Sequence, residues 1–228
     1  DLYGFFQVGG DFAVEKKDTS VVLEGGETIA AELLSIGVSG ADAFAGINGG
    51  TSEAIGLELT GVEFGLALIG VKDDGLGEVD TRRWTSLQAG ATGVTFTGVA
   101  DLTLTATSLS VAINQAADTN PNQAVIDYVG EGATDLTIPT GPTTDLTFDM
   151  DGGAGELLRA SGDFDIDIFG FVAASGSLAI EKSTGSATTV NGDTVETLEV
   201  EQLLLGGSGL SAFIGYNSGT ATTDDDIG

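Results

Sequence analysis

Residues 102–114, LTLTATSLSVAIN, decide the fold class. Up to residue 106 an apolar side chain occupies every second position with threonine between, which is the period of a two-faced β-strand. From residue 109 onwards the apolar positions are odd-numbered, so the alternation shifts by one residue. Such a shift inside a strand requires a β-bulge, and we place it at Thr107–Ser108.

The same alternation recurs along the chain and predicts an all-β fold. In residues 163–168 aspartate alternates with Phe164, Ile166 and Ile168, so we expect the apolar set to be buried and the aspartates to be solvated. Gly170 is predicted to mark a second bulge, and only residues 29–34 carry a weak helical signal. Polar turns separate the predicted strands, which are residues 2–15, 29–47, 55–71, 84–98, 101–114, 134–150, 157–181 and 195–216.

A long internal repeat is the most informative feature of the sequence. Residues 1–16 align without gaps on residues 167–182, with the motif Asp-Xaa-Xaa-Gly-Phe…Glu-Lys in both. A second block, residues 37–51, matches residues 206–220. Its offset is 169 residues, three more than the 166 of the first block. We therefore expect residues 1–166 to be one full repeat, in an arbitrary frame, and residues 167–228 to be the first third of the next.

Repetition of long, bulged strands predicts how the domains are arranged. We expect an elongated sheet or a β-solenoid-like array that continues from one repeat to the next, with the given chain as a window on a longer array. Tandem β-sandwiches, one for each repeat, are the alternative architecture.

Composition excludes several classes of function. The 228 residues contain 35 acidic and 7 basic side chains, a formal charge of -28, which opposes binding to nucleic acid or to an anionic membrane. The chain has no cysteine and no histidine, so disulfides, thiolate zinc sites and Ser-His triads are excluded. The longest uncharged stretch, residues 202–223, is interrupted by glycines, and we expect no membrane insertion.

The acidity does not predict disorder, because 41% of the residues are hydrophobic. Such a chain can bury a core and still present an anionic surface, whose self-repulsion is relieved by salt or by divalent cations. We therefore expect an extracellular or cell-surface location, with a merely acidic cytosolic domain as the alternative.

Three acidic, glycine-containing loops are candidate calcium sites, because Ca²⁺ prefers oxygen ligands on flexible loops. The alternative is that they are ordinary solvated turns, since Asp and Gly favour turns. Calcium is the one cofactor that the sequence suggests. The candidate ligands are Asp149, Asp151 and Glu156 in the first loop, Asp73 and Asp74 in the second, and Asp224, Asp225 and Asp226 in the third.

Three further groups of residues invite a functional interpretation. Asp163, Asp165 and Asp167 share one strand face and could serve a glycosidase, but a wet or cation-binding stripe is the favoured interpretation. Arg82, Arg83 and Trp84 could form a sugar-binding patch, but we favour neutralisation of nearby carboxylates, with the tryptophan covering a strand edge. The repeated aromatic positions are predicted to be core residues; they are Tyr3, Phe169, Phe44 and Phe213.

The two repeated blocks and the Gly/Thr/Asp-rich strands resemble repeats of very large bacterial extracellular and cell-surface proteins of the adhesin-like kind. The resemblance implies secretion, a structural or adhesive role, and often calcium. The nine-residue glycine-aspartate calcium repeat of toxin-like proteins is missing from this sequence.

These observations favour a structural protein rather than an enzyme. We expect a repeat of a large secreted protein that forms an extracellular fibre, stalk or matrix filament by continuous β-sheet packing. Its partners would be adjacent repeats or copies of itself. An adhesin extender or carbohydrate-binding module, with surface glycans as partners, is the alternative.

Overall fold

A computed structural model describes residues 5–73, 75, 80–117, 124–191 and 194–215. The prediction of an all-β fold is confirmed, because eight long strands form one antiparallel sheet, here called the main sheet. Its strand order is β1-β2-β3-β4-β5-β8-β9-β10, so each main-sheet strand lies beside the next main-sheet strand in the chain.

The strands of the main sheet are unusually long. They are β1 (Phe6–Val22), β2 (Thr28–Ile47), β3 (Ile55–Val71), β4 (Arg83–Thr97), β5 (Leu102–Ala116), β8 (Leu157–Ile168), β9 (Val172–Asn191) and β10 (Thr194–Ile214). Between β5 and β8 lies an insertion, described over residues 124–156. It contains the two-stranded sheet of β6 (Thr137–Pro139) and β7 (Asp145–Thr147), and the 3-10 turn Gly152–Ala154.

Several predicted boundaries are wrong. The predicted turn at 16–28 is shorter, because β1 continues to Val22 and pairs with Thr28 of β2. Likewise the predicted loop at 182–194 is mostly strand, with Asn191 paired to Thr194. Polar residues enter strands here because long hairpins satisfy their own backbone hydrogen bonds, whatever the hydropathy of their side chains. The weakly helical segment 29–34 belongs to β2.

The predicted strands at 157–181 and 134–150 are also wrong. Gly170 marks no bulge but a hairpin turn between β8 and β9, in which Phe169 and Gly170 both have positive φ, 56° and 69°. Two successive positive φ angles are the geometry that joins twisted antiparallel strands tightly. Residues 134–150 hold only the short strands β6 and β7, separated by residues 140–144, which include Gly141 and Pro142.

The bulge predicted at Thr107–Ser108 is confirmed. Ser108 has a φ of 53°, and the register of β5 against β8 shifts between Thr107 and Ser110. Comparable left-handed residues occur in β2, β3 and β10, at Gly40, Gly61 and Gly209.

The insertion covers part of one face of the main sheet, which we call the covered face. Burial alternates strictly along the first half of β2, where the side chains at 29, 31 and 33 are buried and those between them are exposed. The apolar side chains of the insertion complete a single core with this face. The insertion contributes Ile126, Tyr128, Leu136, Ile138, Phe148 and Met150, and the sheet contributes Val21, Leu33, Ala67, Ile69, Trp84 and Leu157.

Buried hydrogen bonds fix the insertion on the covered face. The Trp84 indole N–H donates to the Ala124 carbonyl at 2.9 Å, and the Asn114 amide donates to the Ile126 carbonyl at 2.7 Å. The Tyr128 hydroxyl donates to Ser86 Oγ at 2.7 Å, and Ser86 in turn donates to Asn114. Burial raises the pKa of Tyr128, so its hydroxyl stays protonated and remains a donor.

Candidate assembly surfaces

Two of the three carboxylates of the first predicted calcium loop accept hydrogen bonds. Asp149 accepts from the Gln88 side chain at 2.7 Å, and Asp151 accepts from the Gly153 backbone N–H at 2.8 Å, which caps the 3-10 turn. Glu156 lies just before β8, where its backbone N–H donates to Thr184 Oγ1.

The other two candidate loops are described only in part. Asp73 accepts from the Gly75 backbone N–H at 2.8 Å, while Asp74, Asp224, Asp225 and Asp226 lie outside the described residues. Within the described ranges, no group of three His, Cys, Asp or Glu side chains is arranged to hold a metal ion. Calcium binding therefore stays a prediction.

We expect the thermal stability of this chain to rise with ionic strength, because a formal charge of -28 opposes the compact state. Each 1 kcal/mol gained should raise Tm by about 2–4 °C in a chain of this size. The measurement is calorimetry from 10 mM to 0.5 M NaCl, repeated with CaCl2 on the wild type and on an Asp149→Asn/Asp151→Asn variant. An unchanged Tm in NaCl would contradict the expectation, and a calcium effect confined to the wild type would identify the first loop as a site.

The arginine-tryptophan cluster has a structural role. Trp84 is 1% exposed and lies in a central strand beneath the insertion, so it neither covers a strand edge nor offers a surface for stacking sugars. Arg82 forms ion pairs with Asp80 at 2.8 Å and Glu27 at 3.1 Å, and its guanidinium stands 5.8 Å from the Trp84 ring centre. The hydrogen bonds that Arg82 donates to the Asp80 carboxylate lower the pKa of Asp80.

The aspartate stripe lies on the covered face, beyond the insertion. Asp163, Asp165 and Asp167 stand opposite Thr107, Thr105 and Thr103 of β5. From β9, the strand on the other side of β8, Ser177 donates a hydrogen bond to Asp163. Asp167 accepts a hydrogen bond from the backbone N–H of Gly170 in the hairpin turn. This end of the covered face is therefore a row of carboxylates and hydroxyls.

The repeated aromatic positions do not share one environment. Phe44 is buried and Phe213 is half-buried, but Phe169 is 54% exposed because it occupies the hairpin turn. The prediction that Phe169 is a core residue is therefore wrong, and Tyr3 lies outside the described residues.

The hairpins β1–β2 and β9–β10, which carry the repeated sequence blocks, have the same register. Val8 faces Ala43 in the first hairpin, and Ala174 faces Ala212 at the corresponding positions of the second. Each pairing is interrupted at the same place, between Gly9 and Asp11 in β1 and between Ser175 and Ser177 in β9. Gly40 and Gly209, opposite these interruptions, have φ angles of 55° and 59°.

The two hairpins differ in what lies beside them. The outer side of β9 is paired with β8, from Leu158–Lys182 to Ile168–Val172. The corresponding side of β1 has no partner strand among the described residues, and neither does the outer side of β10. Both are open sheet edges, at which backbone groups are available for pairing with another strand.

Comparisons with known proteins add no relative. No family model, no curated protein and no solved structure matches this chain. In the described part of the chain, no helix is long and apolar enough to cross a membrane.

Proposed function

We propose that this chain is a structural repeat of a large secreted protein and that it forms an extracellular fibre, stalk or matrix filament. The observation that supports the proposal is the common register of the β1–β2 and β9–β10 hairpins, including the bulge, across two sequence-related segments. Because the two hairpins pair in the same way, we expect the outer side of β1 to accept the same kind of strand as the outer side of β9. In that arrangement a strand like β8 from a preceding repeat pairs with β1, as β8 pairs with β9 here.

Continuous backbone pairing would then join successive repeats. Residues 1–166 supply β1 to β5 and nearly all of β8, so each repeat adds six strands to the main sheet. At about 4.8 Å per strand, one repeat lengthens the sheet by about 29 Å along the hydrogen-bonding direction. The anionic surface would keep such a filament soluble and would discourage non-specific lateral contacts in salt water.

A carbohydrate-binding surface module is the second candidate function. The row of Asp163, Asp165 and Asp167 beside threonine and serine hydroxyls offers the polar groups that bind sugar hydroxyls. The aromatic platform expected for such a module is absent at Trp84, which is buried. Binding of acidic-site variants, such as Asp163→Asn/Asp165→Asn, to a glycan panel would test this role.

Electron microscopy of chains that carry one, two and four copies of residues 1–166, followed by residues 167–228, tests the filament proposal. We expect rods whose contour length grows by about 29 Å per copy, with the same increment in calcium and in EDTA if backbone pairing alone joins the repeats. Loss of the rods in EDTA would assign the junction to cation bridges. Separate compact beads in both conditions would contradict the proposal and favour tandem sandwiches.

A further inference from the structure

The main sheet has a second face, opposite the covered face, which we call the open face. The pairing register places apolar side chains of six neighbouring strands in one transverse row on this face, namely Val14, Ile36, Leu66, Leu87, Ile113 and Leu158. The core formed with the insertion lies entirely on the other side of the sheet. Apolar side chains of the open face are highly exposed in the two edge strands, with Phe12 of β1 at 74% and Leu205 of β10 at 76%.

The open face continues over the far half of the sheet. Phe164, Ile166 and Ile168 alternate with the aspartate stripe and therefore project from the opposite side. The sequence pattern predicts that these apolar side chains are buried and the aspartates solvated, yet Ile168 is 38% exposed. Apolar side chains that are half-buried in β4 and β5 and exposed in the other six strands indicate an interaction surface.

Charge is confined to one end of the open face, where all but Arg83, which lies beside Gly70 at the start of β4, is in ion pairs. Lys16 pairs with Glu32 at 3.4 Å, Lys182 pairs with Glu201 at 3.0 Å, and Lys72 pairs with Asp18. The positions of the open face between these pairs and the Phe169 turn carry no charged side chain in the described strands. A chain with a formal charge of -28 thus keeps the larger part of one broad face free of charge.

Two kinds of partner could cover such a face, and the structure favours protein over lipid. The outer edges of β1 and β10 are unpaired within the described residues, and unpaired backbone groups are costly in a hydrocarbon environment. The acidity of the chain also opposes approach to an anionic lipid surface. A second copy of this chain offers an equally apolar face, whose charged side chains are confined to one end.

The open face is large enough for a stable interface. Eight strands about 4.8 Å apart, over about ten residues of about 3.3 Å each, give roughly 1,200 Å². A standard protein interface needs about 800 Å² from each partner. Twisted sheets pack face to face with their strands about 30° apart and about 10 Å between the sheets.

We propose that the open face packs against the open face of a second copy, in a two-fold symmetric dimer with a sandwich core between the two sheets. This contact uses a sheet face, whereas the filament proposal uses the sheet edges, so either can hold without the other. Its strength should increase with salt, because screening reduces the repulsion between two chains of charge -28.

Sedimentation equilibrium at 0.5 M NaCl tests the dimer, with the wild type and a Leu66→Glu/Val111→Glu variant. We expect the wild type to have twice the chain mass and the dimer Kd of the variant to rise by about 100-fold or more, because four carboxylates would be buried. Thr105→Glu, on the covered face, is the matched control and should leave the Kd unchanged. Circular dichroism of each variant establishes that the main sheet is intact.

A monomeric wild type at 100 µM, or a Leu66→Glu/Val111→Glu variant that is folded and still dimeric, would overturn the proposal. Flotation with phosphatidylcholine vesicles is the second measurement. A wild type that is monomeric without vesicles and floats with them would overturn it in favour of a lipid surface. Oligomers larger than two that persist in the folded variant would assign association to the sheet edges and would equally overturn the face-to-face dimer.

Discussion

We expect the free energy of unfolding to fall by about 4 kcal/mol when Trp84 is replaced by alanine. Trp84 is 1% exposed and belongs to the core that joins the insertion to the covered face. Its loss leaves a cavity in the apolar core that holds the insertion against the covered face. The Ala124 carbonyl would also lose the 2.9 Å hydrogen bond from the indole.

Urea denaturation followed by circular dichroism measures this effect, since Trp84 is the single tryptophan and its fluorescence disappears in the variant. Trp84→Phe is the matched control, because it keeps an aromatic ring but removes the donor to Ala124. Trp84→Phe should lower the free energy of unfolding by more than the contribution of the hydrogen bond alone, which is about 1 kcal/mol. The loss should be clearly smaller than for Trp84→Ala. A loss below 1 kcal/mol for Trp84→Ala would mean that the insertion does not depend on this contact.

The second large effect is expected at Gly37, where alanine should lower the free energy of unfolding by about 3 kcal/mol. A Cβ atom at Gly37 would lie 2.0 Å from the Pro139 carbonyl oxygen, which belongs to the backbone of β6. Backbone atoms held in a strand cannot move away as a side-chain end can. The substitution should therefore lift β6 from the sheet.

Gly206 supplies a matched control from within the same chain. It occupies in the β9–β10 hairpin the place of Gly37, since Ala13 faces Gly37 and Ala179 faces Gly206. A Cβ atom there meets nothing within 4 Å, so Gly206→Ala should be neutral or stabilising by about 0.5 kcal/mol. Equal losses from both substitutions would show that the effect comes from the strand and not from the contact with β6.

Much of the main sheet could be predicted from sequence, because its strands carry a local signal. The predicted strand at 55–71 coincides with β3, and the predictions at 29–47 and 84–98 differ from β2 and β4 by one residue at one or both ends. The bulge at Ser108 was readable for the same reason, since a shift in alternation is local. The sequence does not identify the turn at Phe169–Gly170, because a glycine between apolar residues is compatible with both a bulge and a hairpin.

The layer arrangement depends on long-range contacts that no local pattern records. Asn114, Ser86 and Trp84 are buried only because residues 124–128 lie over them, between 12 and 42 positions away in the chain. The exposure of the open face is likewise not predictable from a local pattern. Alternation at Phe164 and Ile166 separates apolar from polar positions, but it does not tell which side another layer covers.

Disulfide trapping tests the central claim, that β8 of one repeat pairs with β1 of the next. The chain would be residues 1–166 followed by all 228 residues, with Ser161→Cys in the first copy and Ala13→Cys in the second. The chain has no cysteine of its own, and in the single chain Ser161 faces Ala179, which lies 166 positions after Ala13. Ser161→Cys/Ala179→Cys in the single chain is the positive control, and Val14→Cys, on the opposite face, replaces Ala13→Cys in the negative control.

We predict that the Ser161/Ala13 cysteine pair closes within one tandem chain as completely as the positive control, because directly opposed Cα atoms lie about 4.5–5.5 Å apart. The Val14 pair should stay reduced. Free thiols in the Ser161/Ala13 tandem, under conditions in which the positive control is fully oxidised, would contradict a continuous sheet and leave the repeats as separate units.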